Sequence, residues 1–477
     1  MPINKKDSRI RVLMAAAEVA PFVKVGGLGD VTGSLPVALK KIGIDARVIM
    51  PLYGSIDRKK FKLKKIYSGL EVPSGRLLIK INVWQAKIPG TAVIAYFIDA
   101  PEYFEYKDVY VSGDNSERFL FFSLAALYAL PVLGFEPQII HCHDSHVALI
   151  PDIITVSNLE YLKDLKTLYT IHNFSYQGKT KPVTLSVGNL NRQSTKCLSI
   201  DARDGDINFM VQGVLMADLV NTVAPTYARE ITTSFYGANL ENIIRRRKED
   251  LYGILNGIDV KFFDPGRDKY IKHKFNVRSL NKKTANKLYL QKKLGLPVDK
   301  NIPLAGMVTR LAWQKGIELF TERFARLDCQ YVFLGTGEER YEKHLASLAR
   351  RYPDKISANI TFDIGLAQEI YAASDIFLMP SRYEPCGLGQ MIAMRYGALP
   401  FARRTGGIAD TVTPEVGFTF KNVDENEFFA SLKKALRVYR DEPKKWRQMQ
   451  TRAMKKDFSW NKSAKEYVKL YKKLIKE

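Results

Sequence analysis

A chain of 477 residues, 46% of them apolar, has the material for two or three globular domains with full cores. No apolar run reaches the roughly 18 residues of a membrane span, and the four cysteines (Cys142, Cys197, Cys329, Cys386) form no C-x-x-C pair, which argues against a zinc site or disulfide framework and fits a reducing, cytoplasmic setting. The net charge of +23 is concentrated: residues 266–300 hold eleven Lys/Arg against two Asp, and residues 433–477 hold sixteen against five acidic residues. With no nucleic-acid motif or aromatic platform beside it, this charge reads as solvated lysine on a connecting segment and a terminal helix, not as a polyanion site.

In chain order, basic residues precede "VLMAAAEVAPFV", a faint echo of an export signal, but Glu18 interrupts the run and the pattern continues as strand, loop and helix. "RIRVLMAAAEV" has strand length, the glycine loop "VKVGGLGD" follows, and "VTGSLPVALKKIG" has helical spacing with Gly43 as a stop. "DARVIMPLY" completes a βαβ unit. Further strands are "TAVIAYFID", "QIIHCHD" and "KTLYTIHN", with a helix in "SERFLFFSLAALYAL". A basic, apolar-poor stretch, 266–285, then joins a second half. There "IPLAGMVTRL", "QYVFLGTG", "KISANITF", "IFLMPS" and "LPFARRTGG" read as strands, and "KGIELFTERFARL", "ERYEKHLASLARRY", "LAQEIYAASD" and "CGLGQMIAMRYG" as helices. Strict alternation at this pace predicts α/β architecture: two doubly wound domains, each with a parallel sheet covered on both faces. Ligands in such sheets bind beyond the carboxyl ends of strands, where the unusual residues fall.

The loop with Lys24, Gly26, Gly27 and Gly29 offers backbone N–H groups and a cation to an anion, or is a tight turn; its spacing is not that of a dinucleotide fingerprint. Arg310 and Lys315 in "TRLAWQKG" suit a diphosphate, or are solvated loop cations. In "MPSRYEPCGLGQ", Glu384 can accept two hydroxyl hydrogen bonds from a sugar, or complement a helix start with Pro385 at the first helical position. "HCHDSH" places His141 and His143 on one strand face and adds Asp144 and His146, yet the spacing matches no zinc motif. "DGD" (204–206) lies far from any nucleotide loop, so no metal site is expected there either.

Taken together, "KVGGLGDV", "HCHD", "HNFSYQG", "INFMVQGVLMADLVNTVAPTYAREI", "LYGILNGID", "TRLAWQKG", "VFLGTG", "PSRYEPCGLGQ" and "RRTGGIADTV" resemble, in family order across residues 10–413, the bacterial glycogen synthase and plant starch synthase family. The resemblance implies a GT-B fold, two Rossmann-like domains facing a deep cleft. It places an N-terminal, acceptor-side domain at 1–252, with a helix at 461–477 crossing back onto it, and a nucleotide-sugar domain at 253–460. It implies retaining transfer of glucose from a nucleotide-glucose, ADP-glucose before UDP-glucose, to the non-reducing end of glycogen or another α-1,4-glucan. No metal or other cofactor, no membrane and no nucleic acid is expected to take part.

By the same resemblance Lys24, Gly26 and Gly27 contact phosphate, and Arg310 and Lys315 neutralise the departing nucleotide. Glu384 holds donor hydroxyls, His172 lies beside the reacting sugar with Asn256 nearby, and the N–H groups of Cys386, Gly387 and Leu388 face the donor. Phe362 stacks on the base, and Asp144 lies toward the acceptor. Without an evident nucleophile, transfer is expected to proceed from the front side. The sequence departs from the family at Ser145, where Trp is usual, at Gly389, where a hydroxyl or amide residue is usual, and at Ile392, where related transferases carry a second glutamate. A sucrose- or trehalose-forming relative, and a glucan lectin that has lost catalysis, are the alternatives; retention of Lys24, Arg310, Lys315 and Glu384 speaks against the lectin.

Overall fold

Two compact units make up the structure, a computed structural model that describes residues 9–476; the basic residues before Arg9 lie outside the described residues. Unit 1 is Met1–Gly257 with Trp460–Glu477, and unit 2 is Ile258–Ser459.

The strands of unit 1 are β1 (Arg11–Ala15), β2 (Asp45–Pro51), β3 (Lys64–Ser74), β4 (Leu77–Lys87), β5 (Ile94–Asp99), β6 (Ile139–His143), β7 (Lys166–Ile171), β8 (Lys179–Thr180), β9 (Ile207–Asn208), β10 (Leu219–Thr222) and β11 (Leu251–Gly253). Nine of them form one sheet, ordered β11-β10-β7-β6-β1-β2-β5-β4-β3. Its centre is parallel, and β1 is buried from Val12 to Ala15, as expected of a strand covered on both faces. The chain builds outward from β1 through β2 and β5, then returns with β6 to the other side of β1. The strand order therefore reverses between β1 and β6, and loops after those two strands border the crevice such a reversal creates.

One edge departs from the expected all-parallel sheet. β3 and β4 form an antiparallel hairpin, Ser74 opposite Leu77, turned by Gly75 at φ +60° and Arg76. Its inward residues Val72, Ile79, Ile81 and Val83 are buried, so the period-two signal is present in the sequence.

Unit 2 contains β12 (Leu304–Val308), β13 (Gln330–Leu334), β14 (Ile356–Asn359), β15 (Ile376–Met379), β16 (Leu399–Arg403) and β17 (Phe418–Phe420). Their order, β14-β13-β12-β15-β16-β17, is wholly parallel and is the Rossmann order 3-2-1-4-5-6. Here the reversal falls between β12 and β15.

Three expectations need correction in unit 2. "KGIELFTERFARL" is not one helix but two short 3-10 turns, Ile317–Leu319 and Glu322–Arg326. Gly316 is left-handed at φ +66°, and Phe320 and Phe324 leave helical register to pack edge-on against Phe333 and alongside Phe428. Nor does Pro385 open a helix: the helix begins at Gly389, because Gly387 at φ +73° breaks helical geometry between them. Finally, the stretch 266–285 lies inside unit 2 and not all its lysines are solvated. Lys283 is buried and donates to the carbonyls of Tyr371 (3.2 Å) and Ala372 (2.8 Å), the end of the helix Ile364–Ala373. Burial pulls its pKa down to about 7. Just beyond, buried Lys287 pairs with Asp375 at 2.7 Å.

The C-terminal helix Trp460–Lys476 belongs to unit 1. Its stripe of Tyr467, Leu470, Tyr471 and Leu474 is buried, and it packs against the helix Gly27–Lys41 that follows β1. Lys469, Lys472 and Lys476 on the opposite face are exposed.

Candidate active site

In unit 1 the glycine loop runs straight into the helix Gly27–Lys41, so Gly27 is the first helical residue, four positions ahead of the expected start. The N–H groups of Val25 and Gly26 donate to Glu18 Oε2 at 2.7 and 2.9 Å, and Tyr110 donates its hydroxyl proton to Glu18 Oε1 at 2.6 Å. Glu18, read in the sequence only as a break in an apolar run, is thus a buried carboxylate that organises the loop from within. It already takes the Gly26 N–H that was expected to face phosphate. Lys24 pairs with Asp30 at 2.8 Å in a half-exposed contact of the kind worth little, and easily exchanged for another anion.

The glycines of this loop have different reasons to be glycine. A Cβ on Gly33 would run into the Ala20 carbonyl oxygen, where helix and loop touch. On Gly26 or Gly27 a Cβ would meet no described atom within 4 Å. Internal packing does not require glycine at those two positions, which border open space.

Beside this loop, at the ends of the neighbouring strands β6 and β7, stand Asp144 and His172. Asp144 adopts φ +60°, a strained conformation for an aspartate. Its Oδ1 accepts the backbone N–H of His172 at 2.7 Å and of Asn173 at 3.4 Å. Burial raises the Asp144 pKa to about 7 even so, with Glu18 adding to the rise. His172 is half-buried, and desolvation, then His146, holds its pKa down at about 3, so its imidazole is neutral. Its Nε2 lies 2.9 Å from Nδ1 of His143. Asn256 is buried near the end of unit 1, with Oδ1 unpartnered among the described residues.

The histidines of "HCHDSH" bond and stack with their neighbours. His141 bonds Tyr471 and Thr170, His143 bonds His172, and the ring of His146 stacks on Tyr110. Of the "DGD" residues, Asp206 pairs with Lys179 at 3.2 Å on the surface.

In unit 2 the reversal between β12 and β15 brings together Lys315 and Glu384. Their side chains form an ion pair of 2.6 Å, nearly buried on both sides, and Ser381 donates to the same Glu384 oxygen at 3.0 Å. Glu384 is therefore not a helix-start carboxylate. The loop carrying it is fastened on all sides. Gln314 donates to the Tyr383 carbonyl at 3.1 Å, buried Arg403 donates to the Ser381 carbonyl at 2.8 Å, and Gln390 donates to the Cys386 carbonyl at 3.0 Å. Gly406 and Gly407 press against it so closely that a Cβ on either would overlap the carbonyl oxygen of Glu384 or Cys386. Cys386 and Gly387 are buried within the loop and Leu388 caps the following helix.

Arg310 is exposed beyond β12, close enough to help hold the Glu338 carboxyl below its usual range, after the N–H of Trp313 and the Arg340 guanidinium. Phe362, beyond β14, is 83% exposed. At Gly389 a Cβ would sit 3.1 Å from the Phe377 ring, which fills the space of the side chain usual in the family. Ser145 is buried against Gly178, whose Cβ would lie 3.1 Å from it.

A starch synthase catalytic domain profile matches residues 11–246 and a group 1 glycosyl transferase profile matches residues 290–456. The catalytic domain of starch synthase IV from Arabidopsis thaliana, solved with ADP and acarbose, superposes with a TM-score of 0.90 at 33% identity, over 98% of this chain and 100% of that one. With two Rossmann-like units of this topology, the chain is a glycosyltransferase of the GT-B fold. Glycogen synthase of Thermotoga petrophila is 43% identical over 98% of this chain and 99% of its own length, and that of Clostridioides difficile is 46% identical over 97% and 99%. The chain belongs to the glycogen synthase and starch synthase family.

Proposed function

We propose that this enzyme transfers glucose from ADP-glucose to the non-reducing 4-hydroxyl of an α-1,4-glucan, with retention of configuration and without a metal ion. The observation that carries the reading is the Lys315–Glu384 pair at the strand-order reversal of unit 2, held by Ser381. A cation and a carboxylate locked side by side serve a nucleotide sugar: Glu384 accepts hydrogen bonds from sugar hydroxyls while Lys315, with Arg310, meets the phosphate oxygens next to them. Charge on those oxygens grows as the glycosidic bond breaks. One such cation at 4 Å and an effective dielectric of 20 is worth about 4 kcal/mol before desolvation. Phe362 stacks on the base, and the N–H groups of Cys386, Gly387 and Leu388 face the donor.

From unit 1, Lys24 and the Gly27 N–H take a phosphate oxygen, Gly26 gives the backbone room to approach, and neutral His172 donates to the sugar, with Asn256 nearby and Asp144 toward the acceptor. Glu18 has both carboxylate oxygens engaged, and Asp144 and Glu384 each have one oxygen held by N–H, hydroxyl or cation partners, so the reading assigns none of them as nucleophile. Front-side departure through an oxocarbenium-like state follows, the leaving phosphate taking the acceptor's proton. The preference for ADP is supported by the ADP-bound relative.

Transfer onto glycogen from ADP-glucose and UDP-glucose in parallel, with chelator present, tests this. Transfer from ADP-glucose giving α-linked product is expected. Transfer from UDP-glucose alone, dependence on added metal, or glycogen binding without transfer from either donor would overturn it.

A further inference from the structure

The polar groups under the unit 1 site form one directed chain that ends at the C-terminal helix. Thr170 donates its hydroxyl proton to Asn221 Oδ1 at 2.5 Å, and Asn221 Nδ2 donates to the Tyr467 hydroxyl at 3.2 Å. With its proton spent there, Thr170 Oγ1 is left to accept from His141 Nε2, 2.5 Å away. His141 Nδ1 is then an acceptor, and Tyr471, 2.9 Å away, is its donor. Two in-plane hydrogen bonds on opposite sides thus fix the plane of the buried His141 ring.

The His143 ring packs against the face of His141, tilted by 34°, with centroids 4.1 Å apart. Its Nε2 is buried and has no partner among the described residues, while Nδ1 meets His172 Nε2 at 2.9 Å. An orphaned N–H is costlier than an orphaned lone pair, so the His143 proton belongs on Nδ1. His172 Nε2 is then the acceptor, and His172 keeps its own proton on Nδ1, the nitrogen turned away from His143.

We infer that Tyr471, acting through His141 and His143, is a positioning residue that fixes the ring and tautomer of His172 so that its Nδ1–H is the group offered to the substrate. This rests on the role given to His172 above. The coupling is mechanical: His143 has one in-plane bond, so the face of His141 sets its tilt, and the tilt sets the bond to His172. The last helix of the chain thereby acts on the site from beneath.

Two readouts on the full-length protein test this. Histidine 15N spectra, with His172→Ala for assignment, are expected to find His172 protonated on Nδ1 in the wild type and a mixture of tautomers in Tyr471→Phe. In steady-state kinetics Tyr471→Phe is expected to lower kcat about tenfold, a usual cost of losing an orienting partner, with donor KM within about twofold. His143→Asn, whose amide N–H stands where Nδ1–H stood, is expected to stay near wild type where His143→Ala falls; this pair serves if Tyr471→Phe fails to fold. A wild-type His172 protonated on Nε2, or equal kcat for His143→Asn and His143→Ala, overturns the inference. Should the protein transfer no glucose at all while the His172 tautomer still follows Tyr471, the positioning stands and the reading of function falls.

Discussion

The two units treat carboxylates and glycines in opposite ways. Glu384 in unit 2 faces a cation at 2.6 Å, and the loop that carries it is so tightly packed that Gly406 and Gly407 leave no space for a methyl group. In unit 1 the buried Asp144 receives backbone N–H groups and Asp152 receives the Thr195 hydroxyl, and burial drives both pKa values up to about 7. Its leading loop carries glycines, Gly26 and Gly27, at which an added Cβ would meet no described atom. The unit 2 site is tightly packed around one nearly buried charge pair; in unit 1 the charge pair, Lys24 with Asp30, is half-exposed beside open space.

The largest effect that would break this contrast is on packing. Gly406→Ala should cost unit 2 about 3 kcal/mol by forcing the backbone away from Glu384. An unchanged melting transition would mean that the loop is looser than its contacts indicate. Next comes charge: Glu384→Gln should reduce kcat on the order of 100-fold and also lower the melt, because it leaves the nearly buried Lys315 cation without its partner. Gly27→Ala sharpens the contrast, because stability should stay within about 0.5 kcal/mol of wild type while donor KM rises about tenfold. A loss of stability with no change in KM would make Gly27 a packing glycine like Gly33.

The remaining effect is on pH. Asp152 in the folded chain holds its proton to about pH 7, whereas the unfolded chain releases it near pH 4. Between those values the folded state binds more protons, so this group's contribution to stability falls as pH rises from about 4 to about 7 and is flat above. Asp152→Asn should lose that slope, so the difference between the two proteins' Tm–pH curves should change between about pH 4 and about pH 7; parallel curves would mean that Asp152 titrates normally.

Most strands were legible because burial on both faces leaves continuous apolar runs, as in "RVLMA" and "QYVFL". The candidate site residues were picked out for a related reason: Asp144 and His172 directly follow β6 and β7, and Arg310, Lys315 and Glu384 lie in the loops after β12 and β15. What escaped depends on partners distant in sequence. "KGIELFTERFARL" has helical spacing, but Phe320 and Phe324 answer to Phe333 and Phe428, which override local preference. Glu18 looked like an interruption because the N–H groups it serves come from a turn seven and eight residues on. Lys283 and Lys287 looked solvated because the carbonyls of Tyr371 and Ala372, and Asp375, lie 88 or 89 positions away.

The C-terminal helix also imposes an order on biosynthesis. Most of unit 1 precedes unit 2 in the chain, yet the stripe that covers the helix Gly27–Lys41 is translated only after all of unit 2. For that interval the nascent chain carries an uncovered apolar groove and an unanchored His141. Unit 2, continuous in sequence, can finish first. A chain that stops before Trp460 would hold the whole of unit 2 and an unfinished unit 1, with the helix Gly27–Lys41 uncovered.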